Sequence, residues 1–218
     1  AFMKTILIQS QKGGSGKTML AAHLSVEAER NHEPAWIIDT DRQATLSLWH
    51  ERRKNDTPQR LDAPLERMQQ AQAKVASQGA EYCFIDTAPT ISDQNTGLLK
   101  LADLILIPVR PSPSDLWAVA ETVALVKESK KPFVFVITQA KPQATITAQA
   151  IAALSKHGRV AQSFISDRVA YAAAMTGGNT APELAARGPA AQEIEALWKE
   201  VKACFNESKK TIKKVMHG

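Results

Sequence analysis

Short apolar runs alternate with longer segments of helical periodicity along most of the chain. Each run has five or six residues and is nearly continuous in apolar character, which is typical of strands buried on both faces of a parallel sheet. The predicted strands span residues 5–10, 35–39, 82–86, 104–109, 133–138 and, more weakly, 160–165. The predicted helices span residues 17–30, 64–77, 93–102, 114–128, 145–156 and 167–176. This alternation predicts a doubly wound, mostly parallel α/β sheet with helices on both faces, formed by a single domain.

The last segment of the chain has a different pattern. Pro189 stands where a helix can begin, and apolar residues then recur at spacings of three, four and seven, which marks one stripe of a helix. Residues 208–218 add four lysines and no acidic residue. We predict a C-terminal helix over residues 189–218 with a basic tail. Its lysines could simply face solvent while the stripe packs on the sheet, or they could contact DNA or a membrane surface.

Composition narrows the class of protein. With 218 residues, of which 44% are hydrophobic, the chain is long enough for one domain with a sizeable core. The net charge of +5 is concentrated in the tail, so the rest of the chain is close to neutral. No apolar run approaches the roughly 18 residues of a membrane span, and no secretory signal is recognisable. Two cysteines cannot build a disulfide framework, and we expect a cytoplasmic domain over residues 3–218, preceded by two residues left by cloning.

The run QKGGSGKT, residues 11–18, lies between the first predicted strand and the first predicted helix. It matches the phosphate-binding pattern G-x-x-x-x-G-K-[ST], except that Gln11 takes the place of the first glycine. Glycines allow the backbone to turn its N–H groups toward phosphate oxygens, and the start of the helix favours the same anion. Lys17 would neutralise the β- and γ-phosphates, and the Thr18 hydroxyl would ligate Mg²⁺. The predicted nucleotide site comprises Lys12, Gly13, Gly14, Ser15, Gly16, Lys17, Thr18 and Met19.

Two carboxylates end buried strands. Asp39 and Asp86 each stand at the C-terminal end of an apolar run, and ligands of open α/β sheets bind at that edge. Two acids near Lys17 would crowd like charges unless a cation were present. Mg²⁺ with its water shell resolves this, and we predict Thr18 and Asp86 as its protein ligands, with Asp86 holding a metal-bound water.

The motif KGGSGKT, with its additional Lys12, resembles the deviant Walker A motif of the ParA/MinD superfamily of P-loop ATPases. Residues 39–43 resemble the switch I segment of that family, and residues 84–89 resemble its Walker B strand and switch II. Residues 106–115 resemble a strand and turn of small plasmid-partition ParA proteins, which are the most similar members. Two residues depart from the family pattern: Arg42 replaces a usual proline, and Met19 stands where a second threonine is common.

The resemblance implies roles for individual residues. Lys12 would reach across a two-fold interface to phosphates bound by the other subunit, so that ATP favours a homodimer and ADP the monomer. Asp39 would organise the attacking water. Asp41 would support switch I, or it could merely cap the short helix that follows Ala44. The implied ligands are therefore ATP or ADP with Mg²⁺, and the implied catalytic residues are Lys12 and Asp39.

The base is less strongly specified by the sequence. The Asn-Lys-x-Asp motif for guanine is absent after the fifth predicted strand, which disfavours GTP. Gln139, at the end of that strand, is a candidate contact to the adenine edge. Asp167 and Arg168 could form a wall of the purine pocket or could simply begin a helix.

The resemblance implies a DNA-partition ATPase, whose ATP dimer binds DNA nonspecifically and whose hydrolysis is stimulated by a ParB-type centromere-binding adaptor. Phosphate contacts by lysines of the last helix would give nucleoid association without base readout. The candidate DNA-binding residues are Lys202, Lys209, Lys210, Lys213 and Lys214. A MinD-like protein that docks on membrane is the first alternative, although three apolar residues in the tail make a thin anchor and we expect no membrane partner. A dethiobiotin-synthetase-like ligase is the second alternative, and Lys12 argues against it.

Overall fold

A computed structural model describes residues 2–88, 93–141 and 144–216, and it describes side chains throughout these ranges except at 93–95 and 208–216. Six parallel strands form one sheet within the described residues. They are β1 (Lys4–Ile8), β2 (Ala35–Asp39), β3 (Gln59–Arg60), β4 (Tyr82–Asp86), β5 (Leu104–Val109) and β6 (Phe133–Ile137). Five of them coincide with predicted strands, whereas the two-residue β3 has no counterpart in the sequence pattern.

The strand order across the sheet is β3-β2-β4-β1-β5-β6. The chain runs from β1 outward to one side and later crosses to β5 on the other side, which is the order of a doubly wound sheet. The strand β1 therefore lies between β4 and β5, in register with both. In such sheets the crevice at the carboxyl ends of the strands, where the order reverses, is the usual place for a ligand. The predicted fold class is confirmed.

The helices lie on both faces of the sheet. They are α1 (Lys17–Arg30), α2 (Thr45–Glu51), α3 (Met68–Ser77), α4 (Asp93–Leu99), α5 (Pro113–Glu128), α6 (Thr145–Ser155), α7 (Val169–Thr176), α8 (Ala181–Leu184) and α9 (Pro189–Met216). A single 3₁₀ turn at Leu65–Arg67 precedes α3 and accounts for the start of the predicted helix at residue 64. The four-residue α8 was not predicted from the sequence.

Alternate residues of each strand enter different cores. In β1, Ile6 and Ile8 belong to the layer that contains α1 and α9, whereas Leu7 belongs to the layer that contains α3, α5 and α6. This is the two-residue period of a pleated strand, and both sets of side chains are fully buried. Burial on both faces explains why the strands read as continuous apolar runs rather than as alternating ones.

The prediction of a strand at residues 160–165 is wrong. This segment forms two isolated parallel bridges, Phe135 with Val160 and Ala140 with Ser166, and one further hydrogen bond from the N–H of Ile165 to the carbonyl oxygen of Ile137 in β6 at 2.8 Å. Between the two bridges, the Glu200 carboxylate of α9 accepts the backbone N–H groups of Gln162 and Ser163 at 2.8 and 2.9 Å. Because a side chain of α9 binds these donors, the backbone there does not continue the ladder.

The apolar stripe of the last helix packs against the sheet layer that contains α1. Ile194, Leu197, Trp198 and Val201 are all at most 2% exposed, and α9 begins at Pro189 as the sequence predicts. Within the described residues, no helix combines the length and the apolar content that a membrane crossing requires.

Candidate functional site

The carboxyl ends of β1, β2 and β4 bring together the residues that the sequence singled out. Asp39 and Asp86 are direct register partners at the ends of the adjacent strands β2 and β4. The Thr40 hydroxyl and its backbone N–H both donate to the carbonyl oxygen of Asp86, at 2.7 and 3.0 Å, so the segment that follows β2 is fixed to the end of β4. The chain leaving β1 forms the loop of residues 9–16 directly beside them.

The loop that precedes α1 has the conformation of an anion-binding turn. Gly14 and Gly16 adopt φ angles of 75° and 99°, a region that favours glycine, and Gly16 is the residue before the first turn of α1. A Cβ at Gly16 would also lie 3.3 Å from the Cγ2 atom of Thr138. Within the described part of the chain, the N–H groups of Gly14, Ser15 and Gly16 have no acceptor. Free N–H groups at a helix start form a site for phosphate.

Lys17, the first residue of α1, is a buried cation without a direct partner. It is 7% exposed, and its ammonium group has neither a hydrogen bond nor an ion pair to a described residue. Burial lowers the pKa of Lys17, and the more distant carboxylates of Asp86 and Asp41 only partly oppose this shift. A phosphate group would supply the anion that this charge lacks.

Thr18 and Asp86 form the second half of the site. The Thr18 hydroxyl donates to Oδ2 of Asp86 at 2.7 Å. The pKa of Asp86 is raised to about 7, chiefly by burial and also by the nearby Asp39, although the Thr18 hydroxyl and Lys17 act in the opposite direction. A carboxylate in this position gains from any added cation.

The residues fit Mg²⁺. Oδ1 of Asp86 is buried and has no hydrogen-bond partner among the described residues, although a buried carboxylate oxygen normally has one. The oxygen atoms available to a metal are a hydroxyl and a carboxylate oxygen, which are hard ligands of the kind that Mg²⁺ prefers. Phosphate oxygens of the nucleotide would supply further ligands. Thr18 and Asp86 are the residues of this chain that would hold the ion.

Asp39 links the end of β2 to the following helix. Its Oδ1 accepts the N–H of Asp41 at 3.0 Å, and its Oδ2 accepts the N–H and the hydroxyl of Ser47, in the first turn of α2, at 3.0 and 3.1 Å. Asp41 instead accepts the N–H of Gln43, and no side chain caps α2 at Ala44. The helix start is therefore bound by Asp39 rather than by Asp41.

Lys12 lies exposed on the loop, and its side chain makes no hydrogen bond or ion pair with a described residue. Its backbone is held by Ser10, whose hydroxyl accepts the N–H of Lys12 at 3.2 Å and lies 3.3 Å from its carbonyl oxygen. Ser15 also donates to the same hydroxyl at 2.9 Å. The structure thus fixes the backbone at residue 12 and leaves the ammonium group free for a partner outside the chain.

A cavity of ≈ 270 Å³ opens beside the start of α1. Met19, Gln139, Asp167 and Arg168 contribute to its lining, together with residues of α7. Arg168 directly precedes α7, and its Nε donates to Glu193 at 2.8 Å. The two roles considered for Asp167 and Arg168, pocket wall and helix start, are therefore compatible. The Gln139 amide donates to the carbonyl oxygen of Gly14 at 2.8 Å, which places it between the cavity and the loop.

Sequence reasoning missed Arg110, which follows β5. Its Nη2 lies 3.3 Å from the carbonyl oxygen of Gly13, and its guanidinium donates to both carboxylate oxygens of Asp115 at 2.9 and 3.1 Å. Asp115 is 4% exposed. The available signal was the position of an arginine at the carboxyl end of a strand next to β1, with an acidic residue in the first turn of the following helix.

The candidate DNA-binding residues differ in what the structure describes. Lys202 forms an ion pair with Glu33, and its ammonium group lies 5.6 Å from the ring centre of Trp198. Its charge is therefore already engaged within the fold. The side chains of the other four candidates, Lys209, Lys210, Lys213 and Lys214, lie outside the described residues. Pro89, at the end of the segment that resembles switch II, lies outside them as well.

Comparison with known proteins agrees with this geometry. Residues 6–181 match the CobQ/CobB/MinD/ParA nucleotide binding domain. The chain is 26% identical over 212 residues to the maintenance of carboxysome distribution protein A of Halothiobacillus neapolitanus, a match that covers 90% of this chain and 95% of the relative. It is 25% identical over 132 residues to the protein ParA of Rhizobium radiobacter, and that match covers 59% of each chain.

Solved structures resemble the whole fold. A variant of McdA from Cyanothece in complex with ATP has a TM-score of 0.76 at 19% identity, covering 94% of this chain and 97% of its own. The septum site-determining protein MinD of Pyrococcus horikoshii with Mg-ADP has a TM-score of 0.76 at 17% identity, covering 91% and 96%. With the free N–H groups of the loop, the buried Lys17 and the matched domain, the assignment is complete: the chain belongs to the CobQ/CobB/MinD/ParA family of nucleotide-binding proteins.

Proposed function

We propose that this protein is a DNA-partition ATPase whose ATP-bound homodimer binds nonspecific DNA and releases it after hydrolysis. The observation that carries the proposal is that one phosphate loop bears both an exposed Lys12 and a buried Lys17, neither of which has a side-chain partner among the described residues. The first cation would act on a neighbouring subunit and the second on the phosphates of its own subunit. The similarity to ParA over part of the chain supports the same function.

Hydrolysis would use the residues at the ends of β2 and β4. Thr18 and Asp86 would hold Mg²⁺, which when bound neutralises phosphate charge. Asp39, tied to Asp41 and Ser47, is kept at the edge of the site with its carboxylate oriented, and it would position the attacking water. Arg42, in the same segment, is exposed. Its effect would be on the mobility of switch I and not on a ligand of the metal.

Dimerisation would be controlled by the γ-phosphate. Because the Lys12 ammonium group has no partner among the described residues, it is available to a triphosphate bound by the second subunit. A cation supplied by the other subunit stabilises negative charge on the transferred phosphoryl group in the way an arginine finger does. ATP would thereby favour the dimer over the monomer, because only the dimer makes this contact.

The tail of α9 is the proposed DNA contact. The backbone of α9 continues to Met216, and the helical spacing of positions 209, 210, 213 and 214 puts them within one sector of roughly 140°. A concentrated set of lysines binds phosphates without reading bases, so that binding depends steeply on salt. Lys202 contributes less to this proposal, since it is already paired with Glu33.

The experiment is DNA binding with ATP, with ADP and without nucleotide, measured by fluorescence anisotropy over a range of salt concentrations. We expect binding only with ATP for the natural chain, and none for Lys12→Ala. Replacing the four tail lysines by alanine should lower the affinity by at least about tenfold and flatten the salt dependence by about one unit of slope per lost phosphate contact.

The matched control removes the same charge elsewhere. Its four lysines are all exposed on the body of the protein: Lys74, Lys100, Lys127 and Lys130. We expect this variant to bind DNA within about twofold of the natural chain. Equal binding in all nucleotide states would contradict the switch. Equal losses in the two quadruple variants would contradict the assignment of the tail.

A second candidate function is suggested by the match to a carboxysome distribution protein, which covers 90% of the chain. In that case the cargo would be a protein assembly, while the ATP-dependent dimer and its DNA contact stay the same. Adding an adaptor bound to centromere DNA separates the two cargoes, because only a partition ATPase would respond with faster hydrolysis. Mixing with anionic liposomes in the same experiment tests a MinD-like membrane role, for which we expect no ATP-dependent co-sedimentation.

A further inference from the structure

The phosphate loop is held from outside through four successive carbonyl oxygens. Each accepts a hydrogen bond from a side chain. The carbonyl oxygen of Lys12 accepts from Ser10 Oγ and that of Gly13 accepts from Arg110 Nη2, both at 3.3 Å. The carbonyl oxygen of Gly14 accepts from Gln139 Nε2 at 2.8 Å, and that of Ser15 accepts from Thr138 Oγ1 at 2.7 Å. Three of the four donors come from the ends of β5 and β6. They are distant in sequence from the loop and are not part of its motif.

This arrangement determines where the loop N–H groups point. In a trans peptide the carbonyl of one residue and the N–H of the next are directed to opposite sides. Donors that hold the carbonyls of residues 13, 14 and 15 on the outer side therefore direct the N–H groups of Gly14, Ser15 and Gly16 to the inner side. These are the same three N–H groups that have no acceptor in the described part of the chain.

We propose that Arg110, Thr138 and Gln139 are positioning residues that set the phosphate loop in its anion-binding conformation before nucleotide arrives. Glycine-rich loops have many accessible conformations, so ordering them on binding would weaken affinity. A loop that is already ordered loses less conformational freedom when the ligand binds. This inference deepens the nucleotide-binding part of the proposed function and rests on it, but it does not depend on dimerisation or on DNA.

Thr138 makes the shortest of the three contacts, at 2.7 Å. Thr138 and Ser15 are both 0% exposed, so water cannot replace a lost hydroxyl at this carbonyl. Arg110 is held in place by the buried Asp115, and its replacement would leave that carboxylate unpaired. Gln139 is exposed and adopts a φ of 50°. Thr138 is therefore the position at which the proposal is tested most cleanly.

The test compares three variants of the full chain. Thr138→Val removes the hydroxyl at constant shape, and Thr138→Ser keeps it. Thr5→Val is the matched control. Thr5 is 2% exposed and lies near the amino end of β1, away from the phosphate loop, and its replacement removes one hydrogen bond, from Gln72 at 2.8 Å. Each variant is measured for thermal unfolding, for affinity to fluorescent ATP and ADP, and for amide hydrogen exchange of residues 12–16 without nucleotide.

We expect Thr138→Val to bind both nucleotides about tenfold more weakly and to exchange its loop amides faster, with Thr138→Ser close to the natural chain. Thr5→Val should lower the unfolding temperature by a similar amount and leave affinity and loop exchange unchanged. The proposal is overturned if Thr138→Val binds as tightly as Thr5→Val, or if Thr138→Ser is as weak as Thr138→Val. Failure of the natural chain to bind nucleotide would instead contradict nucleotide binding itself, whereas loop exchange tests the positioning role without any ligand.

Discussion

Lys17 and Arg53 are both buried cations, and their surroundings are opposite. The Arg53 side chain is 2% exposed and its guanidinium forms five hydrogen bonds, two with the carboxylate of Glu183 and three with the carbonyl oxygens of Thr57 and Gly178. It also lies 4.8 Å from the ring centre of Trp49. The Lys17 ammonium group makes no such contact with any residue that the structure describes. One cation is complete within the fold, and the other is incomplete without a ligand.

The pKa values show the same difference. Although burial disfavours the charged form of Glu183, the hydrogen bonds from Arg53 lower its pKa below the ordinary value. Around Lys17, burial is the dominant influence and lowers the pKa of the cation. Fold stability is therefore gained at Arg53 and given up at Lys17. A buried charge whose environment opposes it is a stronger sign of a ligand site than burial or charge alone.

The largest expected effect is on nucleotide binding and follows from replacing Lys17. Lys17→Met keeps an unbranched side chain of nearly the same length and removes its charge, so the phosphates lose their buried cation. We expect nucleotide affinity to fall by at least about 1,000-fold, equivalent to about 4 kcal/mol, because charge-assisted contacts to phosphate in a dry site are strong. Isothermal titration with ATP and ADP measures it.

The same variant should be at least as stable as the natural chain when nucleotide is absent. Removing a desolvated charge that has no partner relieves a cost of folding. Urea unfolding without nucleotide checks this. A marked loss of stability in Lys17→Met would mean that Lys17 is held by contacts within the fold, and the contrast with Arg53 would disappear.

The next largest effect is on stability and follows from replacing Arg53. Arg53→Met removes the cation beside Glu183, which keeps only its hydrogen bonds from Thr180, and it removes the arginine donors of two backbone carbonyls. We expect the free energy of unfolding to fall by about 3 kcal/mol. Nucleotide affinity should stay within about twofold, since none of these partners belongs to the phosphate loop. Urea unfolding and ATP titration of the same preparation measure the two quantities.

Arg53→Lys is the companion variant. It retains the charge but cannot reproduce five directed hydrogen bonds, so we expect about half of the loss. If either variant lost nucleotide binding while keeping its stability, Arg53 would have a role in the site that its contacts do not indicate.

The two regions also differ in how far the sequence predicts them. The phosphate loop, Asp39 and Asp86 are marked by local order, because strand, glycine-rich turn and helix follow one another within a few residues. Apart from Thr57, the hydrogen-bond partners of Arg53 lie at residues 178 and 183, and nothing near Arg53 in the sequence indicates these two. The same holds for Thr138, which reads as an ordinary residue at the end of a strand.

The wrong strand at residues 160–165 has the same physical origin. Its apolar residues fit a strand, but Glu200 of α9 takes the backbone donors that the ladder needs. Periodicity describes which face of an element is buried and cannot describe a competitor from another element. Contacts between distant elements, rather than local propensities, account for what the sequence left open.

His23 sharpens the comparison, because it is a buried group that is stable only while neutral. It is 0% exposed on α1; its Nδ1 lies 2.9 Å from the carbonyl oxygen of Met19, and its Nε2 accepts the N–H of Ala181 at 3.1 Å. Protonation of Nε2 would place two donors against each other. Burial accordingly lowers the pKa of His23 from 6.5 to about 4, although the Met19 carbonyl and the Glu183 carboxylate favour the charged form.

The last prediction concerns the pH dependence of stability and follows from this shift. Between pH 6.5 and pH 4 the unfolded chain binds a proton at residue 23 that the folded chain does not bind, so the stability from neutral His23 is present above pH 6.5 and is lost as the pH falls toward 4. From pH 7 to pH 5 this amounts to about 2 kcal/mol. His23→Gln can keep both hydrogen bonds and does not titrate, so urea unfolding should show a loss between these pH values that is smaller by that amount. An equal loss of stability in the natural chain and in His23→Gln would mean that His23 becomes a buried cation in acid without a cost in stability. A buried cation without a partner, such as Lys17, would then not indicate a ligand site.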